Sequence, residues 1–107
     1  MSNYGFAGTG QLSIPPLAAA YLGRAYEFSL TPTAVAGVSF SEQTFTGTGL
    51  RTWDNVHVQK PTVQSGLFIV QAYVSASDVL NIVFQNVSVS QITPTAETYK
   101  VIAFKTA

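Results

Sequence analysis

The stretch that decides the fold is residues 67–89, LFIVQAYV followed by SASD and then VLNIVFQNVSV. Two runs rich in Val, Ile, Leu, Phe and Tyr flank four small polar residues, Ser75-Ala76-Ser77-Asp78, which is the pattern of an antiparallel hairpin. In the second run Leu80, Ile82 and Phe84 share one face, opposite Asn81, Val83 and Gln85. A period of two is that of a strand, because successive side chains leave a pleated backbone on opposite sides.

Working outward, the same period recurs. After Ile92-Thr93-Pro94-Thr95, residues 98–105 set Tyr99, Val101 and Ala103 against Lys100, Ile102 and Phe104. Upstream, residues 53–59 place Asp54, Val56 and Val58 on one face and Trp53, Asn55, His57 and Gln59 on the other, ending at Lys60-Pro61. FTGTGL at 45–50 carries glycines at 47 and 49, where a turn can use positive φ. Residues 35–40 and 43–46 read as two further short strands, and Tyr26, Phe28 and Leu30 alternate with Glu27 and Ser29 before Thr31-Pro32-Thr33. Only residues 17–23 could form a helical turn or two. Short strands spaced by turn residues predict an all-β chain, an antiparallel β-sandwich of jelly-roll or Ig-like type. The hairpin and the last strand are apolar on both faces for part of their length. A second chain or the N-terminal segment is expected to cover the outer one.

The chain has 107 residues, enough for one domain, and 47% of them are apolar. The expected organisation is an extended N-terminal arm over 1–23 and a single β-domain over 24–107. MSNYGFAGTGQLSIPP has three glycines, two adjacent prolines and no charge, which suits neither helix nor central strand. Tyr4, Phe6, Leu12, Ile14, Pro15 and Pro16 form its candidate partner-binding set. Such a segment is either a strap packed on its own domain or an arm lying on a neighbour. Sixteen extended residues reach about 50 Å, enough to cross a neighbouring subunit.

Charge narrows the functional classes. Asp, Glu, Lys and Arg make up 9% of the chain, against about 25% in ordinary soluble domains. A folded monomer of this size has a surface of about 5,800 Å², so each charge has about 600 Å² to itself. Five basic and five acidic residues cancel and are scattered, with no basic run to neutralise phosphates, so no nucleic-acid partner is expected. The absence of cysteine removes disulfides and thiolate metal sites, and one histidine cannot build a histidine cage, so no metal or other cofactor is expected. The apolar run at 17–22 is far shorter than the roughly 20 residues of a membrane span. With no Lys or Arg in the first eleven residues, the N-terminus reads as mature protein rather than signal, and no membrane partner is expected.

No catalytic constellation stands out, and no enzyme is expected. His57 is the one imidazole, and Asp54, three residues away on the same strand, points to the opposite face. GFAGTG at 5–10 reads G-x-x-G-x-G, not the dinucleotide fingerprint. Asn86-Val87-Ser88 fits a glycosylation sequon whose occurrence reads as coincidental. Trp53 with Tyr21, Tyr73 and Tyr99 offers an aromatic platform for a sugar, against the blander reading of core packing.

Over residues 58–105, Lys60-Pro61, Gly66-Leu67, Val74-Ser75-Ala76, Phe84-Gln85-Asn86, Ile92-Thr93-Pro94 and Tyr99-Lys100-Val101 follow in an order that resembles small β-rich structural proteins of tailed bacteriophages, some of which are capsid cement or decoration proteins. The resemblance implies a virion protein on the capsid exterior. It would bind between major capsid proteins, with itself as a homotrimer at local three-fold positions, and stiffen the shell without an active site. A tail, fibre or host-attachment module is the alternative that the same resemblance allows.

Overall fold

A computed structural model describes residues 23–105 of the chain. It contains β1 (Arg24–Leu30), β2 (Ser39–Thr46), β3 (Asp54–Gln59), β4 (Leu67–Ala76), β5 (Val79–Asn86) and β6 (Glu97–Lys105), with no helix among the described residues. The strands form two antiparallel sheets of three, ordered β1-β6-β3 and β2-β5-β4. The described residues are therefore all-β, as their alternation predicts. The first and last strands pair, Arg24 opposite Ala103 and Leu30 opposite Glu97, and β3 lies on the other side of β6.

The hairpin forms with tighter geometry than its sequence indicates. β4 runs on to Ala76 and β5 restarts at Val79, so the loop is Ser77-Asp78 rather than four residues. Asp78 takes φ 64°, a left-handed conformation that a short polar side chain tolerates. β4 absorbs extra residues at Val70 and Ser75, where its register against β5 shifts. Such bulges roughen an edge strand and discourage pairing with another chain. β2, the other edge of that sheet, has no register shift against β5.

The faces fall where the period of two puts them. Leu80, Ile82 and Phe84 of one sheet and Tyr99, Val101 and Ala103 of the other are fully buried, and they share a single core with Leu30, Val35, Leu50, Val58 and Val74. Each large apolar side chain in it contributes about 1.5–3 kcal/mol by leaving water.

One expectation fails. Residues 35–40 and 43–46 are not two strands: Val35 makes only an isolated bridge with Ile92, the chain turns at Gly37-Val38, and one strand then runs from Ser39 to Thr46. The physical reason is long-range. Val38 donates its backbone N–H to the Ser88 carbonyl at 2.8 Å, and it holds φ 52° to do so. Of the two glycines in FTGTGL, only Gly49 takes positive φ, 100°, and its carbonyl lies 3.4 Å from the Tyr26 hydroxyl.

Candidate functional site

All ten charged side chains lie among the described residues, and six are engaged in three ion pairs that join distant parts of the chain. Arg24 opens β1 on its inward-facing side, and Nη2 reaches both carboxylate oxygens of Asp54 at 2.8 Å. The Asp54 side chain is fully buried, and the Arg51 backbone N–H donates to it at 2.9 Å. Asp78 at the hairpin tip accepts from the Gly49 N–H at 2.8 Å and from Arg51 Nη1 at 2.7 Å. Those two donors, Gly49 first, hold its carboxyl below the usual range. At the opposite end of the strands Lys60 and Glu97 approach to 3.1 Å, and the Thr62 hydroxyl donates to Glu97 at 2.6 Å. The Thr62 hydroxyl is the larger cause, and Lys60 a further one, of a Glu97 carboxyl below its ordinary value.

Three of the four remaining charges also face a neighbour. Glu27 and Lys100 sit directly opposite each other on the outer face of the β1-β6-β3 sheet. Glu42 accepts from the Tyr73 hydroxyl across the other sheet, which raises the Tyr73 pKa. Most of a small charge complement is thus turned inward or paired, so the outer faces are poorer in free charge than composition alone implies.

What the outer faces carry instead is apolar. Ile102 and Phe104 of β6 are exposed, and Phe40, Phe68 and Val70 are exposed on the β2-β5-β4 sheet. Phe40 and Phe68 flank Gln85 in one cross-strand row. Beyond that row, at the same end of the sheet, Val38, Val87 and Val89 are exposed too. The end is bound together through Asn86, which is 1% exposed. Its amide donates to the carbonyls of Val35 at 3.0 Å and Ser90 at 2.8 Å, and its oxygen accepts from the N–H and hydroxyl of Ser88 at 2.9 and 2.7 Å. The sequon asparagine is a buried structural hub with its amide nitrogen already occupied.

A groove of about 580 Å³ runs between β3 and β4, walled by Val58, Leu67, Phe68 and Ile69 and by the loop from Lys60 to Gly66. Val63 stands in that loop almost entirely exposed. A shallower depression of about 150 Å³ on the outer face of the other sheet is lined by Ala25, His57, Lys100 and Ile102. His57 lies there opposite Ile102, while Asp54 is buried on the inner face, so the two point apart as their odd spacing requires. No group of three or more His, Cys, Asp or Glu gathers among the described residues.

The aromatic platform is not assembled. Tyr99 is fully buried and its hydroxyl donates to the Thr95 carbonyl at 3.1 Å, with burial pushing its pKa up to about 12. Trp53 and Tyr73 are exposed, and Tyr21 lies outside the described residues. So do Tyr4, Phe6, Leu12, Ile14, Pro15 and Pro16, the candidate set of the N-terminal segment. Sequence reasoning missed Val38, Phe40, Phe68 and Asn86. The signal that could have found the apolar end is the set of charge-free stretches 28–41, 61–77 and 79–96, which the fold gathers there. No family model matches the chain, and neither a curated protein nor a solved structure matches it.

Proposed function

We propose that this chain is a structural subunit of a larger assembly, a β-sandwich of jelly-roll or Ig-like type whose outer faces are covered by other protein. Its most specific form is a capsid cement or decoration protein on the exterior of a virion, binding between major capsid proteins. One observation carries the assembly reading: six of ten charges are drawn into ion pairs while large apolar side chains stand on the outer faces of both sheets. The order of residues 58–105 supports the virion setting by resemblance. A free monomer gains nothing from such a surface, and exposed apolar patches of several hundred Å² mark interaction sites.

The mechanism is linkage. A subunit that binds the assembled lattice, and not its dissociated parts, stabilises the lattice by mass action. Contacts to more than one neighbour raise the effective concentration, so individually modest interfaces retain the subunit firmly. Apolar burial is insensitive to salt, unlike ion pairing.

The test is a particle lacking the chain. It should rupture or lose its contents at a lower temperature than the complete particle, and microscopy of the complete particle should place copies across the shell. Equal stability, or density confined to the tail, contradicts the cement reading.

A further inference from the structure

We infer that the apolar end of the β2-β5-β4 sheet is a self-association surface that meets a second copy of this chain around a two-fold axis. The inference rests on the assembly reading for its setting and names a partner and a face, and it sets a two-fold contact in place of the three-fold arrangement that the resemblance implies. Its members are Val38 at 71% exposure, Phe40 at 71%, Phe68 at 53%, Val70 at 53%, Val87 at 54% and Val89 at 89%. They are one patch: Phe40 and Phe68 share a row through Gln85, Val70 is the bulge residue two positions after Phe68, Val38 is bonded to Ser88, and Val87 to Gly66.

Three independent observations point to an occupant of this kind. The first is backbone strain. Val38 holds φ 52°, a conformation in which a β-branched side chain crowds its own backbone, and glycine or asparagine is the residue at home there. Its side chain reaches no core to offset that strain; it stands in solvent. A strained residue that displays an apolar side chain outward is a presented contact.

The second is charge. Residues 28–41, 61–77 and 79–96, which contribute this end, contain no Asp, Glu, Lys, Arg or His, and Glu42, two positions along β2 from Phe40 toward the other end, is engaged by the Tyr73 hydroxyl. A patch that packs on its own copy across a two-fold axis brings any charge near the axis against its like, so a self-complementary face must lack them. The third is area. Weighting roughly 150 Å² for Val and 200 Å² for Phe by these exposures gives on the order of 600 Å² of apolar surface per copy. Two copies together then reach about 1,200 Å², the lower bound of a standard specific interface.

Sedimentation equilibrium of the full chain, from about 1 to 200 µM, tests this. The expected result is a monomer–dimer equilibrium with a dissociation constant on the order of micromolar, unchanged between low and high salt. Phe40→Gln with Phe68→Gln should weaken the dimer at least about tenfold, while Phe104→Gln on the other sheet leaves it unchanged. Val38→Asn separates contact from fold: it should weaken the dimer by about tenfold while the melting temperature of the monomer holds or rises, because asparagine accepts left-handed φ. A chain that stays monomeric throughout, a trimer, or a dimer indifferent to Phe40, Phe68 and Val38 overturns the inference. Failure here is distinguishable from failure of the assembly reading: a chain monomeric in solution whose removal still weakens the particle refutes the two-fold contact alone.

Discussion

Removing the Asn86 side chain is the perturbation that tests most of this structure at once. Asn86→Ala deletes two amide donations, to Val35 and Ser90, and two acceptances, from the Ser88 N–H and hydroxyl. At about 1 kcal/mol net per hydrogen bond the gross loss is about 4 kcal/mol. Two partners find other donors, however: the Val35 carbonyl retains the Ile92 N–H, and the Ser88 hydroxyl, whose one proton either Asn86 or the Ser90 carbonyl can accept, is left to the Ser90 carbonyl. The net cost then narrows to about 2–3 kcal/mol, most of it from the partly buried Ser88 N–H left without its acceptor. Urea unfolding reads this as a lower midpoint at unchanged slope. Asn86→Asp is the sharper companion, because it sets a carboxylate oxygen against two carbonyls where a donor had been. Its folded-state pKa must rise above the unfolded value of about 3.9, so its deficit is small in acid and grows as pH rises through the folded value. A loss under about 1 kcal/mol for Asn86→Ala, or an Asn86→Asp deficit flat with pH, refutes the assignment of Asn86 as the hub.

Three further outcomes follow from the same geometry. Tyr99, with its pKa raised to about 12, contributes stability that is complete below pH about 10 and is lost as pH climbs from there through 12. The loss is about 3 kcal/mol at most, and Tyr99→Phe should flatten that limb of a pH–stability curve at a neutral-pH cost of about 1 kcal/mol for the bond to Thr95. Glu97 has a lowered pKa, chiefly through Thr62, so its contribution is present above the ordinary value of about 4.3 and disappears as pH falls through the folded value. Glu97→Gln should make the acid limb of the urea midpoint shallower. Gly37→Ala would set a methyl 2.3 Å from the Val89 carbonyl oxygen, so the turn must move, and a loss of about 1–3 kcal/mol in urea unfolding is expected.

The parts of the fold legible in the sequence are those whose signal is local. Which faces of β3, β5 and β6 turn inward follows from alternation alone, and Asp54 and His57 separate as their spacing requires. The parts that were not legible depend on contacts across the chain. VAGVSF reads as a strand on its two valines and its phenylalanine, yet the bond from Val38 to Ser88 bends it into a turn. Asn86 looks like a sequon until Val35, 51 positions away, is seen to accept from it. The scattered charges resolve into pairs only in space, with 30 positions between Arg24 and Asp54. For the same reason the apolar end was invisible: three charge-free stretches are unremarkable apart and become a surface when the topology gathers them. The N-terminal candidates lie outside the described residues, so the expectation that they engage a partner stands as the sequence left it.

The claim on which the account turns is that these outer faces are covered in the assembled state. Hydroxyl-radical footprinting of the particle-bound chain, compared with the isolated chain below its association range, measures that coverage directly. Strong protection of Phe40 and Phe68 in the particle is expected, with the loop residue Val63 as an internal reference for a side chain exposed in the free chain. Equal labelling of Phe40 and Phe68 in the free and particle-bound chain would contradict it.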